Sequence, residues 1–252
     1  MRRCLLLRSF FQQFPQVAVA FSGGVDSAYL LYAARQSAEK VHAYYVKTEF
    51  QPQFELEHAK KLCKQLSVEL TVLCLSQLQE PRIRCNDAQR CYYCKERIFR
   101  KIRQAAAEDG FTVLLDGTNA DDDETDRPGF RALRELEVKS PLRDYGLSKD
   151  EIRRLSKEAG LFTHTKAAYA CLATRIPTGE ELTAEKLKRT EAAEGFLYDL
   201  GFRDFRIRCH NGTARLQIKE AQFPLYYSNK AQIMETLGKR YSSIIPEPEV
   251  RA

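Results

Sequence analysis

The chain has 252 residues, of which 44% are hydrophobic and 29% charged, with a formal net charge of +6. This composition excludes a disordered chain, and no apolar stretch approaches the length needed to span a bilayer. The length suits one main domain with a smaller one, and the positive charge suits an anionic ligand such as a nucleotide, tRNA or a phosphorylated small molecule.

In chain order, the pattern from residue 17 to about 165 alternates strands and helices, which is typical of a parallel sheet wrapped by helices. The predicted strands are 17–21, 41–47, 69–74 and 112–116, and the predicted helices lie near 27–38, 54–66, 95–108 and 148–159. After residue 180, a charged helix near 183–200 precedes two short strands around Asn211-Gly212, a strong hairpin signal. We predict an α/β domain over residues 1–178 and a small α+β domain over 179–252 for substrate binding and oligomerisation.

A glycine turn, Ser22-Gly23-Gly24-Val25-Asp26-Ser27, follows the first predicted strand. Its glycines let the backbone approach an anion closely, while the two serines and the amides that open the next helix donate to phosphate oxygens. The turn lacks the lysine of a Walker A motif, so it is not the ordinary P-loop. The plainer alternative is a βα turn that is merely rich in serine and glycine.

Ligands of such sheets bind outside the carboxyl ends of the strands, where Ser22, Lys47 and Asp116 fall. The segment Asp116–Asp122 supplies carboxylates and amides that suit Mg²⁺, or that could position a substrate for adenylation. The alternative is a solvated acidic turn that continues through Asp126.

Eight cysteines occur without an export signal, which indicates a cytoplasmic protein and metal, cluster or catalytic use of some thiols. Cys85, Cys91 and Cys94 lie close together, and a Cys-x-x-Cys pair can ligate a metal, ligate cluster iron or act in redox chemistry. A structural zinc site normally needs four ligands, and a second such pair is absent.

Cys171 is the candidate for a third sulfur. Lys166 and Arg175 flank it, and nearby cations favour the nucleophilic thiolate. Taken singly, a cysteine between alanine and leucine is more often a small packed hydrophobe.

These motifs together resemble the LarE-type ATP-dependent sulfur transferases of the PP-loop ATP pyrophosphatase superfamily, which make the sulfurs of the nickel-pincer nucleotide cofactor of lactate racemase. The resemblance rests on Ser22–Ser27, Arg90–Lys95, Asp116–Asp122, Arg127-Pro-Gly, Ser140-Pro-Leu, Cys171–Arg175 and Arg206–His210. It implies a PP-loop (adenine nucleotide alpha hydrolase-like) fold. It also implies that ATP adenylates a carboxylate of pyridinium-3,5-biscarboxylic acid mononucleotide, with pyrophosphate released, and that sulfur then displaces AMP to give a thiocarboxylate.

The resemblance also implies roles for individual residues. The ATP-binding residues would be Ser22, Gly23, Gly24, Asp26, Ser27, Lys47, Gly117 and Thr118. The catalytic residues would be Cys171, Asp26, Lys95 and Arg175. Mg²⁺ would be held by Asp26, Asp121 and Asp122.

Members of the family obtain sulfur in two ways. Some sacrifice the sulfur of the cysteine that matches Cys171, which becomes dehydroalanine. Others hold a [4Fe-4S] cluster on three cysteines matching Cys91, Cys94 and Cys171, and its free iron carries an added sulfide. This chain has all three, which points to the cluster-bearing type with an unknown sulfide donor; Cys85 as a fourth ligand would close the open iron.

Arg206 and Arg208 alternate on a predicted strand, so both point to one face, where their guanidinium groups could bind the substrate phosphate. A solvated face is the alternative. Family members often have a glutamate where Gln217 stands, which puts a metal-binding role there in doubt. The resemblance also implies a homo-oligomer, with a hexamer as one arrangement.

Three other functions compete with sulfur transfer to a small nucleotide. A tRNA thiolase would need a broad basic surface, and the glutamates of the C-terminal part offset its cations, so nucleic acid is disfavoured. An amidotransferase-like ligase leaves the three cysteines without a function. A nucleotide sensor with a zinc site would bind ATP without releasing pyrophosphate.

Overall fold

A computed structural model of the protein describes residues 2–122 and 128–248. These residues form two compact units. The first extends to Ser76 and resumes over Gln89–Lys166, and the second comprises Gln77–Ala88 and the chain from Ala167 onward. The domain division at residue 178 stays a prediction.

The first unit is built on a four-stranded parallel sheet of order β3-β2-β1-β4. Its strands are β1 (Gln16–Ala20), β2 (Lys40–Lys47), β3 (Leu70–Cys74) and β4 (Leu114–Leu115). Its helices are α1 (Arg2–Gln13), α2 (Val25–Ser37), α3 (Gln53–Leu66), α5 (Arg90–Glu108), α6 (Pro128–Glu135), α7 (Pro141–Asp144) and α8 (Lys149–Glu158), with a 3-10 turn at Phe162–Thr165. The short helix α4 (Pro81–Arg84) belongs to the second unit.

Alternation along β1 distributes its side chains to two cores. Val17 and Val19 are fully buried in a cluster with residues of α1, α2, α3 and α8. Ala18, between them, is buried in a second cluster with residues of α5 and α6. Because successive side chains of a strand point to opposite faces, helices cover both sides of the sheet. The predicted doubly covered parallel α/β fold is therefore confirmed.

The second unit contains a mixed three-stranded sheet of order β5-β6-β7. Its strands are β5 (Arg206–His210), β6 (Thr213–Ile218) and β7 (Ser243–Pro248), and its helices from residue 167 onward are α9 (Ala184–Asp199), α10 (Phe223–Ser228) and α11 (Lys230–Gly238), with 3-10 turns at Leu172–Arg175 and Glu220–Gln222. Strands β5 and β6 are antiparallel, and β6 and β7 are parallel. Buried residues of α9, α10 and α11 pack against one face of this sheet.

The hairpin prediction at Asn211-Gly212 is confirmed. Both residues have positive φ, +47° and +77°, as a tight two-residue turn requires. The first of the two predicted strands begins at Arg206, since Asp204 adopts a left-handed conformation with φ +54° and interrupts the extended backbone before it.

Strand β7 was not predicted, because Pro246 and Pro248 lie within it and proline disfavours a strand assignment. In the structure β7 is an edge strand, where proline is tolerated because the side of the strand that faces away from the sheet makes no ladder hydrogen bonds. None of the described helices combines the length and the apolar character of a membrane span.

Candidate active site

The turn between β1 and α2 has the backbone geometry of an anion site. Gly23 is buried and adopts φ +76°, which favours glycine. Gly24 is the extended N-cap residue of α2 and makes no side-chain capping bond to the helix. The first amides of α2 therefore have no side-chain cap at Gly24, and the helix dipole favours negative charge at this end.

The two serines of this turn lie together. The hydroxyl oxygens of Ser22 and Ser27 are 3.0 Å apart, and the Ser27 hydroxyl donates to the Gly24 carbonyl at 3.2 Å. These contacts hold the turn closed and place both hydroxyls beside the helix N-terminus.

The segment after β4 meets the same turn. A Cβ on Gly117 would lie 2.7 Å from the Ser27 nitrogen and 2.9 Å from its Cα, so only glycine fits. The structure thus brings together Gly117 and Ser27, which the sequence analysis had placed in one ATP site. We call Ser22–Ser27 with Gly117 the phosphate cradle.

Asp116, directly before Gly117, is buried and accepts hydrogen bonds from Ser140 at 2.6 Å and Thr118 at 2.5 Å. Burial raises the pKa of Asp116, while these hydrogen bonds and the charge of Lys95 act in the opposite direction. The hydroxyl of Thr118, a predicted ATP ligand, is thus engaged with Asp116. The resulting network fixes the loop after β4.

Asp26, in the first turn of α2, faces Lys149 at the start of α8. The Lys149 ammonium lies 2.5 Å from Oδ2 of Asp26, whereas Oδ1 is buried without a hydrogen-bond partner among the described residues. Burial raises the pKa of Asp26, and Lys149 opposes the shift. One carboxylate oxygen therefore remains for a cation or a ligand donor.

Lys149 was missed as a site residue. The helix predicted near 148–159 marked only its surroundings, and in the structure this helix is capped by the Ser148 hydroxyl, which accepts from the Glu151 amide at 3.3 Å. The cap predicts where α8 begins but not what its first side chain contacts.

Asp121 and Asp122 stabilise backbone around this site. Oδ2 of Asp121 accepts the Lys149 amide at 2.7 Å, and Oδ2 of Asp122 accepts the Asn119 amide at 3.0 Å. Asp122 is also near enough that its charge contributes to raising the pKa of Asp26. Their role toward Mg²⁺ stays a prediction. Residues 123–127, which hold the rest of the acidic run and Arg127 of the Arg-Pro-Gly motif, lie outside the described residues.

Two lysines flank the carboxyl ends of the strands. Lys47 ends β2, and its ammonium donates to the Gln51 carbonyl. Lys95, on α5, has its ammonium 4.8 Å from the ring centre of Phe130. A Cβ on Gly129 would lie 2.7 Å from Cδ of Lys95, so this lysine packs tightly against α6.

In the second unit, Arg175 is 1% exposed and bound to Glu194. Its Nε lies 2.6 Å from Oε1 of Glu194, and a terminal nitrogen is 3.3 Å from Oε2. The same carboxylate accepts from the Tyr169 hydroxyl and the Ile207 amide. Arg175 thus anchors the backbone between residue 171 and β5, and its predicted catalytic role stays a prediction. Glu194 gave no sequence signal beyond a charged helix.

The cysteines fall in both units. Cys91 is exposed and Cys94 half-buried in the first turn of α5, three residues apart and so on one side of the helix. Cys85 is exposed after α4. Cys171 is half-buried at the start of the 3-10 turn that contains Arg175, and its charge acts on that guanidinium. Within residues 2–122 and 128–248, no three His, Cys, Asp or Glu side chains form a metal-binding group.

Arg206 and Arg208 lie on one face of β5, and Ile207 between them is buried on the other. The Arg208 side chain donates to Gln217 on β6 at 2.9 Å. Partial burial and repulsion from Arg206 and Arg175 lower the pKa of Arg208. Positive charge is therefore concentrated here, as a phosphate site requires. We call Arg206 and Arg208 the arginine face.

Similarities to one protein family and to three relatives bear on this site. The family described as Queuosine biosynthesis protein QueC matches residues 16–85, which include the Ser22–Ser27 turn. The chain is 34% identical over 220 residues to an uncharacterized protein, slr1717, from Synechocystis, covering 86% of this chain and 81% of that protein. It is 31% identical over 234 residues to the pyridinium-3,5-bisthiocarboxylic acid mononucleotide synthase of Lactiplantibacillus plantarum, covering 91% and 85%. A tRNA-specific 2-thiouridylase, MnmA, from Pseudothermotoga lettingae is 29% identical over 202 residues, covering 66% and 58%.

The fold and the phosphate cradle define an enzyme of the PP-loop ATP pyrophosphatase type, whose relatives transfer sulfur. Within that class, the chain belongs to the LarE-type family of ATP-dependent sulfur transferases, as its identity to the Lactiplantibacillus synthase shows. The resemblance found in the sequence motifs is therefore confirmed.

Proposed function

We propose that this enzyme converts a carboxylate of pyridinium-3,5-biscarboxylic acid mononucleotide into a thiocarboxylate at the expense of ATP. The single observation that carries the proposal is the phosphate cradle. It occurs in a chain of which 91% aligns with a synthase named for the bisthiocarboxylic acid product. Small-molecule sulfur transfer accounts for the cradle and the cysteines together.

In the first step, a carboxylate oxygen of the substrate attacks the α-phosphorus of ATP, and the bond to the β-phosphate oxygen breaks to release pyrophosphate. The cradle amides and the hydroxyls of Ser22 and Ser27 would bind the departing pyrophosphate. Mg²⁺, when bound, would neutralise phosphate charge, and Asp26 is the carboxylate best placed to hold it because Oδ1 is buried beside the cradle.

In the second step, a sulfur nucleophile attacks the acyl-adenylate carbonyl. The carbon–oxygen bond to AMP breaks, AMP leaves with the electron pair, and the thiocarboxylate forms. Arg206 and Arg208 would bind the phosphate of the substrate mononucleotide, and guanidinium groups suit the planar, bidentate recognition of phosphate oxygens.

We propose that Cys91, Cys94 and Cys171 provide three thiolates for a [4Fe-4S] cluster. The chemistry of the donor set supports this, since two thiols lie about one helical turn apart on α5, one exposed and the other half-buried. Such a cluster, when bound, supplies a sulfide on its fourth iron. The alternative uses Cys171 itself: its sulfur forms a thioester, and loss of the α-proton then breaks the Cβ–Sγ bond and leaves dehydroalanine.

The partner that would supply sulfide is unknown, and a cytoplasmic homo-oligomer that matures lactate racemase stays part of the proposal. The Lactiplantibacillus synthase is named for a small nucleotide, which supports that substrate class over nucleic acid.

The test measures pyrophosphate release and substrate mass on protein purified without oxygen, with iron and acid-labile sulfide determined on the same sample. Cys91→Ala is compared with Cys74→Ala, a matched exposed cysteine at the end of β3. About four irons per chain, lost only in Cys91→Ala, support the cluster. An iron-free parent that loses the mass of hydrogen sulfide during turnover establishes the sacrificial route. Thiolation of tRNA with no reaction of the pyridinium nucleotide would overturn the proposed substrate.

A further inference from the structure

A buried ion pair lies directly behind the phosphate cradle and has no part in the chemistry above. The Lys166 ammonium is 2.6 Å from Oε2 of Glu55 and 2.9 Å from the carbonyl oxygen of Gly23. The two side chains are only 13% and 9% exposed. The sequence suggests Lys166 as a cation that favours the Cys171 thiolate, whereas in the structure its ammonium donates hydrogen bonds to Gly23 and Glu55.

Both members of the pair are held in place by their own backbone surroundings. Glu55 lies in the first turn of α3, and its carbonyl oxygen would be 3.3 Å from a Cβ on Gly23, so helix and turn are packed tightly. The Lys166 carbonyl accepts from Arg153 of α8 at 2.9 Å, and its amide donates to Thr163 at 3.0 Å. The ammonium therefore reaches Gly23 from a fixed support.

The contact fixes the direction of one peptide group. The peptide bond between Gly23 and Gly24 is planar and trans, so its carbonyl and its N–H point in opposite directions. With the Gly23 carbonyl held toward Lys166, the Gly24 N–H points away from Lys166, to the side where it donates a long hydrogen bond of 3.4 Å to the Ser22 hydroxyl of the cradle. Without this contact, the peptide between Gly23 and Gly24 could rotate at little energetic cost, because glycine adopts positive and negative φ about equally readily.

We propose that Lys166 and Glu55 are positioning residues that hold the Gly23-Gly24 peptide in the orientation that binds the pyrophosphate portion of ATP. The proposal rests on the proposed function only in taking ATP as the nucleotide. Buried ion pairs contribute little net stability compared with apolar side chains of similar volume. Such a pair behind a glycine turn is better explained by what it does to the turn. Glu55 fixes the ammonium and cancels its charge, so that Lys166 acts through the peptide and not on the phosphates themselves.

The experiment measures binding of inorganic pyrophosphate with Mg²⁺ and of AMP, by calorimetry, to the full chain. The variants are Lys166→Met, the double variant Lys166→Met with Glu55→Met, and the control Lys219→Met. Lys219 forms an ion pair of the same length, 2.6 Å, with Asp204 in the second unit. Thermal midpoints are recorded for every variant.

We expect Lys166→Met to weaken pyrophosphate binding about tenfold, the effect of losing one charge-assisted hydrogen bond, and to leave AMP binding unchanged. Its thermal midpoint falls because Glu55 is left as a buried carboxylate without its cation. The double variant regains the thermal midpoint, because neither charge remains, but keeps the weak pyrophosphate binding. Lys219→Met binds both ligands as the parent does.

Recovery of pyrophosphate affinity together with the thermal midpoint in the double variant would overturn the proposal, since the pair would then serve folding alone. Unchanged pyrophosphate affinity in Lys166→Met, or an equal loss for AMP, would overturn it as well. A parent that binds neither ATP nor pyrophosphate contradicts the proposed function itself, and that result is distinct from the other two.

Discussion

The phosphate cradle and the arginine face, the two anion sites that we propose, are built in opposite ways. In the cradle, backbone amides and two short hydroxyl side chains would face the ligand, and buried contacts at Gly23 and Gly117 hold them. On the arginine face, long charged side chains stand on a strand, and partial burial together with repulsion from Arg206 lowers the pKa of Arg208. The first site is shaped by packing and the second by charge.

Because of this difference, substitutions at the two sites should affect stability and phosphate binding differently. A change in the cradle disturbs close-packed backbone, so stability and phosphate binding are lost together. A change on the arginine face removes a partly exposed charge from a strand whose core side is intact, so binding is lost with little effect on stability. The two sites should also differ in their response to salt, because screening acts mainly on exposed charges.

The largest effect is expected from Gly117→Ala. The added Cβ would lie 2.7 Å from the Ser27 nitrogen, and backbone atoms cannot move aside as a flexible side chain can. We expect a loss of about 1–3 kcal/mol in the free energy of unfolding, as for overpacked cores. Displacing the cradle by about an ångström should also lower the rate of pyrophosphate release by about a hundredfold. Urea unfolding and a pyrophosphate assay measure the two losses.

Gly195→Ala is the matched control. Gly195 lies inside α9, and a Cβ there meets no atom within 4 Å. Alanine should raise the free energy of unfolding by roughly 0.5–1 kcal/mol, because it restricts the unfolded chain and favours helix. If Gly117→Ala were as harmless as Gly195→Ala, the close approach of the two loops would not matter for the cradle.

Substitutions on the arginine face should have a smaller effect, a loss of affinity for the nucleotide substrate with no loss of stability. We expect Arg206→Gln and Arg208→Gln each to raise the KM for the nucleotide substrate on the order of tenfold, with KM for ATP and the urea midpoint unchanged. The double variant should lose less than the product of the two, because removing Arg206 relieves its repulsion of Arg208. Steady-state kinetics with each substrate varied in turn provides the measurement.

Salt sharpens this test. Raising ionic strength should increase the nucleotide KM of the parent and have less effect on the double variant. Lys239→Gln removes an exposed cation of the same unit, paired with Glu235 at 3.6 Å, and should leave both KM values unchanged. An equal response of Lys239→Gln would mean that net charge, and not the arginine face, attracts the substrate.

The cradle was the more predictable of the two regions. Its glycines and serines stand in one short run after an apolar strand, so local sequence specifies both the turn and its ligand chemistry. The position of Ser22 and Asp116 at one edge of the sheet also followed, because parallel strands bring their carboxyl ends together there, and the family resemblance added Gly117 and Ser27 to one ATP site. The alternation of Arg206 and Arg208 needed only the hairpin signal at Asn211-Gly212.

What could not be predicted are contacts between residues far apart in the chain. Lys149 reaches Asp26 across 123 positions, and Lys166 reaches Gly23 across 143. Glu194, in a helix rich in charge, binds a buried arginine. A charged side chain in a single sequence is most simply interpreted as solvated, and only packing reveals the partner that allows its burial.

The smallest expected effect concerns pH and the Asp26–Lys149 pair. Burial raises the pKa of Asp26, and Lys149 opposes that shift, so Lys149→Met should raise the pKa further. A raised carboxyl pKa means that the folded state keeps a proton that the unfolded state has released. Stability therefore falls as pH rises from the ordinary value of 3.8 through the folded pKa.

In Lys149→Met this fall should be deeper and extend to higher pH, and the difference from the parent should vanish below the ordinary aspartate pKa, where both states are protonated. Urea unfolding across pH measures it. The acid limb of the pyrophosphate-release profile should move to higher pH in the same variant, since cation binding needs the ionised carboxylate. Lys239→Gln should leave the limb in place. An unmoved limb in Lys149→Met would show that the ionisation of Asp26 does not limit the reaction, and the cradle would then depend on its backbone alone.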